Sequence, residues 1–312
     1  MITFLGTSAA VPTKKRNHIG IAFKYNGDIF LFDCGENIQR QFLYSPLSPM
    51  KIKAIFITHL HGDHILGLPG IIQSLSFLER KEDLLIFGPK GIKDIVKYSL
   101  SFGYCSINFN IKVFEIDSRE PIDVYREEKF RIIAYPLEHF VDNYSYTFLE
   151  IKKPRLDIEK AKKLKVKIGP DLKRLKNGYP VRNIDGELIY PEDVLLPPKK
   201  GISLSYSGDT LPIKEYGKFL KDNGVDILIH EATYDDSLKD LAVESYHSTI
   251  GDAVKIADIA EVKSLILTHI SARYDKDEDI YYKNVERYKK DCKFKIFVSE
   301  DLKSYNIKEL IK

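Results

Sequence analysis

The sequence predicts an α/β fold with one inserted basic segment. Short apolar runs bounded by turn residues alternate with segments of helical pattern along most of the chain. Residues 151–198 interrupt this alternation with a composition rich in lysine and proline. With 312 residues and a hydrophobic fraction of 44%, the chain can bury one large core or two modest ones. We therefore expect one domain over residues 1–312, with residues 151–198 forming an inserted arm.

The strand and helix patterns form two series, one on each side of this arm. Before it, strands are predicted at residues 2–5, 19–25, 28–33, 53–58, 84–87, 109–116 and 130–136, and helices at 35–43, 65–80 and 91–102. After it, strands are predicted at 202–207, 226–230, 263–268 and 295–298, and a helix at 248–260. Within the arm the pattern predicts one short helix near residues 157–164.

The strand at residues 53–58 runs directly into a cluster of side chains that bind metal ions. His59, His61, Asp63 and His64 lie within six consecutive positions. A strand end followed by a tight loop can direct several side chains at one point. Imidazole nitrogen and carboxylate oxygen suit zinc, and also manganese or iron, better than they suit magnesium or calcium. The cluster therefore predicts a transition-metal site.

Three more candidate ligands follow other predicted strands. His139, Asp209 and His269 each lie at or just beyond a strand end. Strand ends on one edge of a sheet can converge on one place, whereas residues in the middle of strands cannot. Together with the cluster these residues make seven ligands, which is enough for two ions, and the two carboxylate oxygens of Asp209 suit a bridge between them.

The excess of positive charge in the protein is concentrated in the arm. The chain has a net charge of +3, but residues 151–178 hold eleven Lys or Arg against three acids, which leaves the remainder acidic. An acidic body with one strongly basic segment fits a polyanion bound at that segment. On charge alone, a solvated helix face with an excess of lysine fits equally well.

The remaining composition favours a cytoplasmic protein. No run of 18 or more apolar residues appears, so we expect no membrane span. The N-terminus lacks the basic and apolar regions of a secretory signal. Cys34, Cys105 and Cys292 are scattered and odd in number, which favours small core residues in a reducing compartment over disulfides.

Several motifs give the chain a resemblance to a known family. His59-Leu60-His61-Gly62-Asp63-His64 matches the HxHxDH signature of the metallo-β-lactamase superfamily. Four further motifs are similar to those of the ribonuclease Z family, which processes the 3′ ends of tRNA. They are the PxKxRN loop at residues 12–17, the HEAT motif at 230–233, the HST motif at 247–249 and a Gly-Pro motif at 169–170 within the arm.

The resemblance implies a four-layer αββα metallo-β-lactamase sandwich, usually a homodimer, with two zinc ions per chain and manganese as the alternative metal. His59, His61 and His139 would bind one ion and Asp63, His64 and His269 the other, with Asp209 bridging them. The substrate would be precursor tRNA, cut to leave a 3′-hydroxyl on the tRNA and a 5′-phosphate on the trailer.

The resemblance also assigns catalytic and substrate-binding roles. Asp63 would accept a proton from the attacking water, and His247, oriented by Glu231, would assist the leaving 3′ oxygen. On pattern alone, the favoured interpretation of His247 is a surface histidine near a helix start, and that of Glu231 is a solvated acid. The substrate-binding candidates are Lys14 and Arg16 in the PxKxRN loop, and Gly169, Pro170, Lys173 and Arg174 in the arm.

Other functions compatible with the same metal ligands remain open. A thioester hydrolase of the glyoxalase II type and a hydrolase of small phosphodiesters would use the same two ions. A non-catalytic RNA-binding relative would be expected to lack ligands. The basic arm and the PxKxRN loop have no evident role in the thioester reaction, so the sequence favours tRNA processing.

Overall fold

The computed structural model describes residues 1–104 and 106–312, and the chain divides into two compact units. The main unit comprises Met1–Arg126, Arg131–Leu149 and Ser203–Lys312. The inserted unit comprises Glu127–Phe130 and Glu150–Ile202.

The main and inserted units together contain strands β1 to β20 and helices α1 to α12 among the described residues. The strands are β1 Ile2–Gly6, β2 Ser8–Ala9, β3 Gly20–Tyr25, β4 Asp28–Phe32, β5 Ile52–Phe56, β6 Leu84–Pro89, β7 Ile111–Ile116, β8 Ile122–Glu127, β9 Phe130–Leu137, β10 Asn143–Glu150, β11 Arg155–Leu156, β12 Val181–Arg182, β13 Leu188–Ile189, β14 Leu195–Leu196, β15 Ser203–Tyr206, β16 Ile227–Glu231, β17 Ser264–Thr268, β18 Ile270–Ser271, β19 Lys295–Val298 and β20 Ser304–Tyr305. The helices are α1 Ile38–Tyr44, α2 Gly62–Ile65, α3 Leu68–Phe77, α4 Ile92–Leu100, α5 Ile158–Lys163, α6 Pro170–Lys176, α7 Pro191–Val194, α8 Lys214–Asp222, α9 Lys239–Glu244, α10 Ile250–Ile259, α11 Asp279–Lys289 and α12 Ile307–Leu310, with 3₁₀ turns at Pro49–Lys51, Asp236–Leu238 and Ala272–Tyr274.

Two seven-stranded sheets form the centre of the main unit. Their strand orders are β20-β1-β3-β4-β5-β6-β7 and β19-β17-β16-β15-β10-β9-β8. In each sheet one group of neighbouring strands is parallel, β4 to β7 in the first and β15, β16, β17 and β19 in the second. The carboxyl ends of the strands in each parallel group therefore lie at one edge, where side chains from separate parts of the sequence can meet.

Strand β4 shows how the four layers arise from the sequence. Its residues alternate in direction, as side chains of a strand must. Ile29 and Leu31 belong to an apolar cluster that also contains Ile38 of α1 and Leu68 of α3. Phe32 points the other way, and its ring lies 6.3 Å from that of Tyr206 in the second sheet.

The two sheets face each other through a layer of aromatic rings. Phe23 lies 4.8 Å from Phe148, and Phe56 lies 5.2 Å from Tyr146, measured between ring centroids. The outer face of the second sheet packs on α8, α10 and α11, in a cluster that includes Leu220 and Ile256. The order helix, sheet, sheet, helix confirms the predicted αββα sandwich.

The predicted helix at residues 65–80 is in fact two helices, α2 and α3. The chain turns at Gly67, whose N–H donates to the carbonyl of Cys34. A β-carbon at Gly67 would lie only 2.0 Å from the carbonyl oxygen of Gly35, so this close approach requires glycine. The break lets α2 hold Asp63 and His64 at the strand ends while α3 packs on the sheet.

Several elements of the main unit are not predicted by the sequence pattern. Strand β10 alternates polar and aromatic residues and offers no continuous apolar run, although it is buried along most of its length. Helix α8 buries only Tyr216, Gly217 and Leu220, and α11 only Tyr281, Asn284 and Val285, so each has a weak apolar pattern. Strand β10 is buried on both sides, and each of the two helices is buried along one narrow face. This burial depends on how the elements pack in the folded protein, so the local sequence pattern does not reveal it.

The inserted unit has a small apolar core of its own. Ala161, Val166, Leu175, Val181, Ile189 and Val194 form its buried cluster. Asp157 caps α5 by accepting a hydrogen bond from the backbone N–H of Lys160. Helix α6 was not predicted; it begins at Pro170 after Gly169, whose φ of 118° favours glycine. Among the described residues, no helix is both long and apolar enough to cross a membrane.

Arg80 is a buried cation that joins three segments of the main unit. It is 2% exposed, and its guanidinium donates hydrogen bonds to the carbonyl oxygens of Met50, Ile52, Glu82 and Asp83. These bonds hold the start of β5 against the turn that precedes β6.

We predict that Arg80→Met destabilises the fold by about 3 kcal/mol or more, because several buried carbonyls lose their donors. Arg80→Lys should recover less than half of the loss, since one ammonium group cannot reproduce the planar fork of donors. Chemical unfolding of both variants measures the effect. If Arg80→Met lowers the free energy of unfolding by less than about 1 kcal/mol, water replaces the hydrogen bonds of the guanidinium and the prediction is wrong.

Candidate metal centre and active site

The first four predicted ligands lie on the short stretch between β5 and α3. His59 follows β5 and is fully buried, His61 lies directly before α2, and Asp63 and His64 are on the first turn of α2. The tight passage from strand to helix directs all four side chains into one cavity. The sequence prediction that a strand end gathers this cluster agrees with the local geometry.

One group of candidate ligands comprises His59, His61, His139 and Asp209, whose ligand atoms all lie within 4.8 Å of one another. His61 Nδ1 is 3.0 Å from His59 Nε2 and 3.3 Å from His139 Nε2. His139 comes from the loop after β9, and Asp209 from the loop after β15. Strand ends of both sheets therefore contribute to this group.

A second group comprises Asp63, His64 and His269, again within 4.8 Å of one another. His269 Nε2 lies 3.3 Å from Asp63 Oδ2 and 3.4 Å from His64 Nε2. His269 follows β17 directly, and its φ of 57° turns its side chain out of the strand direction. The structure thus brings together all seven side chains that the sequence singled out as ligands.

Asp209 lies between the two groups. Its Oδ2 is 3.6 Å from His59 Nε2 and 3.4 Å from His64 Nε2, while its Oδ1 is 3.3 Å from His269 Nε2. Oδ1 is buried and has no hydrogen-bond partner among the described residues. A buried carboxylate oxygen without a donor requires a positive partner, so this atom is well placed to bind a cation.

The hydrogen bonds around the cavity leave imidazole lone pairs directed into it. The Nδ1 of His64 faces the Asp33 carboxylate, and the Nδ1 of His139 faces the Tyr246 carbonyl. The Nδ1 of His59 faces the hydroxyl of Thr58, and the Nδ1 of His269 faces the hydroxyl of Thr233. Both hydroxyls also lie within hydrogen-bond distance of carboxylates, to which they donate. Because each Nδ1–H is therefore donated outward, Nε2 is the nitrogen of each of these rings that faces the cavity and, when deprotonated, can bind a metal. This donor set fits divalent transition metals.

The charges of the cavity influence one another strongly. Burial, together with the neighbouring His64, lowers the pKa of His59 well below its ordinary value. Burial alone would lower the pKa of His64, but the carboxylates of Asp209, Asp33 and Asp63 raise it well above the ordinary value. Burial would likewise raise the pKa of Asp63, yet His64 and His269 hold it below its usual range. The carboxylates thus draw positive charge into the cavity.

Asp33 is a supporting residue that the sequence analysis missed. It is fully buried at the end of β4, and its Oδ2 accepts hydrogen bonds from His64 Nδ1 at 2.7 Å and from the Tyr206 hydroxyl at 2.9 Å. Its Oδ1 accepts the backbone N–H of Thr58. The sequence signal is a charged residue at the end of an apolar strand, which by itself indicates only where the strand ends.

The fully buried Glu231 forms an ion pair with the partly exposed His247 beside the second group. His247 Nδ1 lies 2.9 Å from Glu231 Oε1, and Glu231 also accepts hydrogen bonds from Thr210 N and Thr233 Oγ1. Burial opposes a charge on His247, but Glu231 raises its pKa to about 9. The imidazole is therefore protonated at neutral pH, as a proton donor must be.

The loop with the predicted contacts Lys14 and Arg16 lies beside the same cavity. The N–H of Ala10, at the start of this loop, donates to Asp63 Oδ2 at 2.8 Å. Lys14 is exposed. Arg16 is only 7% exposed, and its Nη1 donates to Thr7 Oγ1 and to the carbonyl of Ser299. The expectation that Arg16 contacts substrate directly does not fit this burial; Arg16 holds the loop in place instead.

The predicted arm contacts lie in the inserted unit. Gly169, Pro170, Lys173 and Arg174 are all exposed, around the start of α6. Ile168, directly before them, is 74% exposed. The surface of this unit therefore combines basic side chains with an accessible Gly-Pro turn.

Comparison with known proteins gives four informative matches. Residues 1–155 match the family model described as Anti-Pycsar protein Apyc1. The chain is 65% identical to Ribonuclease Z of Methanocaldococcus jannaschii over 310 residues, which cover 99% of this chain and 97% of that protein. It is 52% identical to Ribonuclease Z of Methanococcus aeolicus, with coverage of 98% and 97%. The crystal structure of human tRNase Z, short form, superposes with a TM-score of 0.68 at 26% identity and covers 98% of both chains.

We predict that Asp33→Asn weakens binding of a divalent transition-metal ion about 10- to 100-fold, because an amide cannot accept the His64 Nδ1–H in the same way as a carboxylate. Competition with a chromophoric chelator, with Zn²⁺ as the probe ion, measures the affinity. Asp28→Asn, at the other end of β4, is the matched control and should leave the affinity of the wild type unchanged. Equal metal affinity of the Asp33 variant and the wild type would contradict the orienting role.

Proposed function

Because the chain belongs to the ribonuclease Z family, we propose that it is a metal-dependent endoribonuclease that removes the 3′ trailer from precursor tRNA. The observation that carries this proposal is the convergence of seven ligand side chains directly beside the Glu231–His247 pair. A cavity with cation ligands and an adjacent protonated imidazole suits hydrolysis of a phosphodiester, whose charge must be neutralised and whose leaving oxygen must be protonated.

We propose that the resident metal is zinc, two ions per chain, with manganese as the alternative. His59, His61 and His139 would hold one ion, and Asp63, His64 and His269 the other, with Asp209 shared between them. Such a pair supplies positive charge to the phosphate and makes water a competent nucleophile near neutral pH. The outward donation of Nδ1–H by His59, His64, His139 and His269 supports this assignment, since it leaves Nε2 of these rings free for a metal, while His61 faces the cavity with its Nδ1.

The protein side chains would carry the proton transfers. Asp63 is 11% exposed at its side chain, at the edge of the cavity, where it can accept a proton from the attacking water. His247 is positioned by Glu231 and donates a proton to the departing 3′ oxygen. Cleavage of the bond between the phosphorus and this 3′ oxygen would leave a 3′-hydroxyl on the tRNA and a 5′-phosphate on the trailer.

The basic surfaces would bind the tRNA backbone. The inserted unit contains most of the excess positive charge, and Lys173 and Arg174 are exposed on α6 beside Gly169 and Pro170. Lys14 is exposed on the loop beside the metal cavity. Contacts of this kind follow the shape and phosphates of folded RNA, whose base edges are hidden in a deep, narrow groove.

Other activities fit the chain less well. A thioester hydrolase of the glyoxalase II type would leave the basic inserted unit without a role. A non-catalytic RNA-binding protein would not need all seven ligand side chains in one cavity. Hydrolysis of small phosphodiesters is compatible with the same cavity, and we expect it as a side activity of the same centre.

We propose that the protein is a cytoplasmic homodimer. Leu43 and Tyr44 of α1, Phe77 of α3 and Tyr98 of α4 are each more than half exposed, and these helices pack against one another. An apolar surface of this kind marks an interaction site. Free Cys34 and Cys292 are consistent with a reducing compartment, while Cys105 lies outside the described residues.

The direct test uses the purified protein and a tRNA precursor with a 3′ extension. We expect one cut at the tRNA end that leaves a 3′-hydroxyl and a 5′-phosphate, and loss of cleavage on addition of a chelator. Asp63→Ala should abolish cleavage while precursor binding, measured by filter retention, persists. Cleavage that survives both the chelator and Asp63→Ala, or no cleavage by the metal-loaded wild type, would contradict the proposal.

The role of the inserted unit can be tested by removing it cleanly. The backbone N–H of Glu150 bonds to the carbonyl of Ile202, so a short Gly-Ser linker can join the two ends. We predict that this deletion lowers kcat/KM for precursor tRNA at least tenfold and flattens its salt dependence, because phosphate contacts are lost. Hydrolysis of a small phosphodiester should fall much less.

A milder pair of variants controls for misfolding. Lys173→Ala with Arg174→Ala should raise KM for precursor tRNA, whereas Lys218→Ala with Lys221→Ala, on α8 of the main unit, should not. An equal loss on precursor tRNA and on the small phosphodiester would assign the inserted unit a folding role instead.

A further inference from the structure

An open groove lies directly beside the candidate metal centre in the main unit. Its volume is about 910 Å³, and its walls include Leu60 and His139, one of the seven ligand side chains. The groove therefore begins at the metal cavity and leads away from it. None of the residues with an assigned catalytic or substrate-binding role lies along its outer part.

Phe140 forms an exposed aromatic wall of this groove. It follows the ligand His139 directly and is 63% exposed. Its ring centroid lies 4.2 Å from that of Tyr246, which comes from the loop that carries His247. One side of the Phe140 ring thus contacts Tyr246, with the two ring planes tilted by 44°, while the rest of Phe140 remains accessible from the groove.

The position of this ring pair is coupled to the metal ligand. His139 Nδ1 donates to the carbonyl of Tyr246 at 2.9 Å, and Tyr246 adopts a φ of 56°, which non-glycine residues rarely occupy. Backbone strain of this kind persists where the surroundings enforce it, and it clusters at functional sites. The same hydrogen bond therefore fixes the ligand and the aromatic platform in one arrangement.

The charges along the groove are mixed. Lys90 and Arg119 are opposed by Asp117, Glu138 and Asp142. This lining does not provide the excess positive charge that a phosphate-binding track needs. An exposed aromatic ring, by contrast, stacks on any nucleobase, because every base has a flat π-face.

The two sides of the centre suggest which part of the RNA passes here. The loop that carries Lys14 contacts the Asp63 half of the centre through Ala10, whereas the groove starts at His139, in the other half. If the scissile phosphate lies between the Asp63 half and the His139 half, the end of the tRNA would lie on the side of the loop that carries Lys14. The chain beyond that phosphate would then leave along the groove.

We propose that Phe140, supported by Tyr246, stacks on the nucleobase of the first trailer nucleotide. This inference rests on the proposed function and adds a binding site for the departing RNA. Because stacking does not depend on base identity, the site accepts trailers of any sequence but requires a base.

The test compares precursors that carry a normal or an abasic first trailer nucleotide. For the normal precursor, Phe140→Ala should lower kcat/KM about 5- to 100-fold, and Phe140→Tyr should restore most of it. For the abasic precursor, wild type and Phe140→Ala should differ by less than about twofold. Phe114→Ala is the matched control, since Phe114 is also exposed and in contact with another ring, that of Phe87, but lies outside the groove.

Three outcomes would overturn the assignment. Phe140→Ala could lose the same factor on both precursors, Phe140→Tyr could fail to restore activity, or the loss could disappear only when the last tRNA nucleotide is made abasic. The last result would place the tRNA end in the groove. If the wild type cleaves no precursor at all, the proposed function fails before this comparison begins.

Discussion

The main constraint on the structure is that several charged and polar side chains must be held together in one buried cavity. Asp209 is almost completely buried between two groups of imidazoles, and one of its oxygens lacks a donor among the described residues. Such a carboxylate is costly unless positive charge lies next to it. The fold meets this requirement by bringing five histidines and Asp63 to the ends of strands from both sheets. The same cavity, with cations bound, is suited to a negatively charged phosphodiester.

A layer of supporting residues converts this convergence into a defined geometry. Asp33, Thr58 and Thr233 accept the outward Nδ1–H of three histidines. Thr233 also donates to Glu231, so the second ligand group and the His247 pair share one hydroxyl. Because Glu231 lies at the end of β16 and His269 follows the neighbouring β17, the parallel register sets the spacing between proton donor and metal ligands.

Much of the fold, and the clustering of the seven candidate ligand side chains, was predictable, because both follow from local patterns. The alternation within β4 and the strand end before His59 are readable from residue order. Asp33 and Phe140 were missed because their roles come from contacts with His64 and Tyr246, which are distant in the sequence. Arg16 was assigned to substrate because its motif is basic, and only the packed structure shows it donating to Ser299. Helix α6 was missed because Lys and Arg fill most of its exposed face.

The central claim is that Asp209 joins two cations in one centre, and metal stoichiometry tests it most directly. Elemental analysis of zinc-loaded, gel-filtered protein should give two ions per chain for the wild type. Asp209→Ala should retain at most one ion, while circular dichroism shows that the fold is kept. Fewer than two ions in the wild type, or two ions retained at unchanged affinity in the folded variant, would contradict the account.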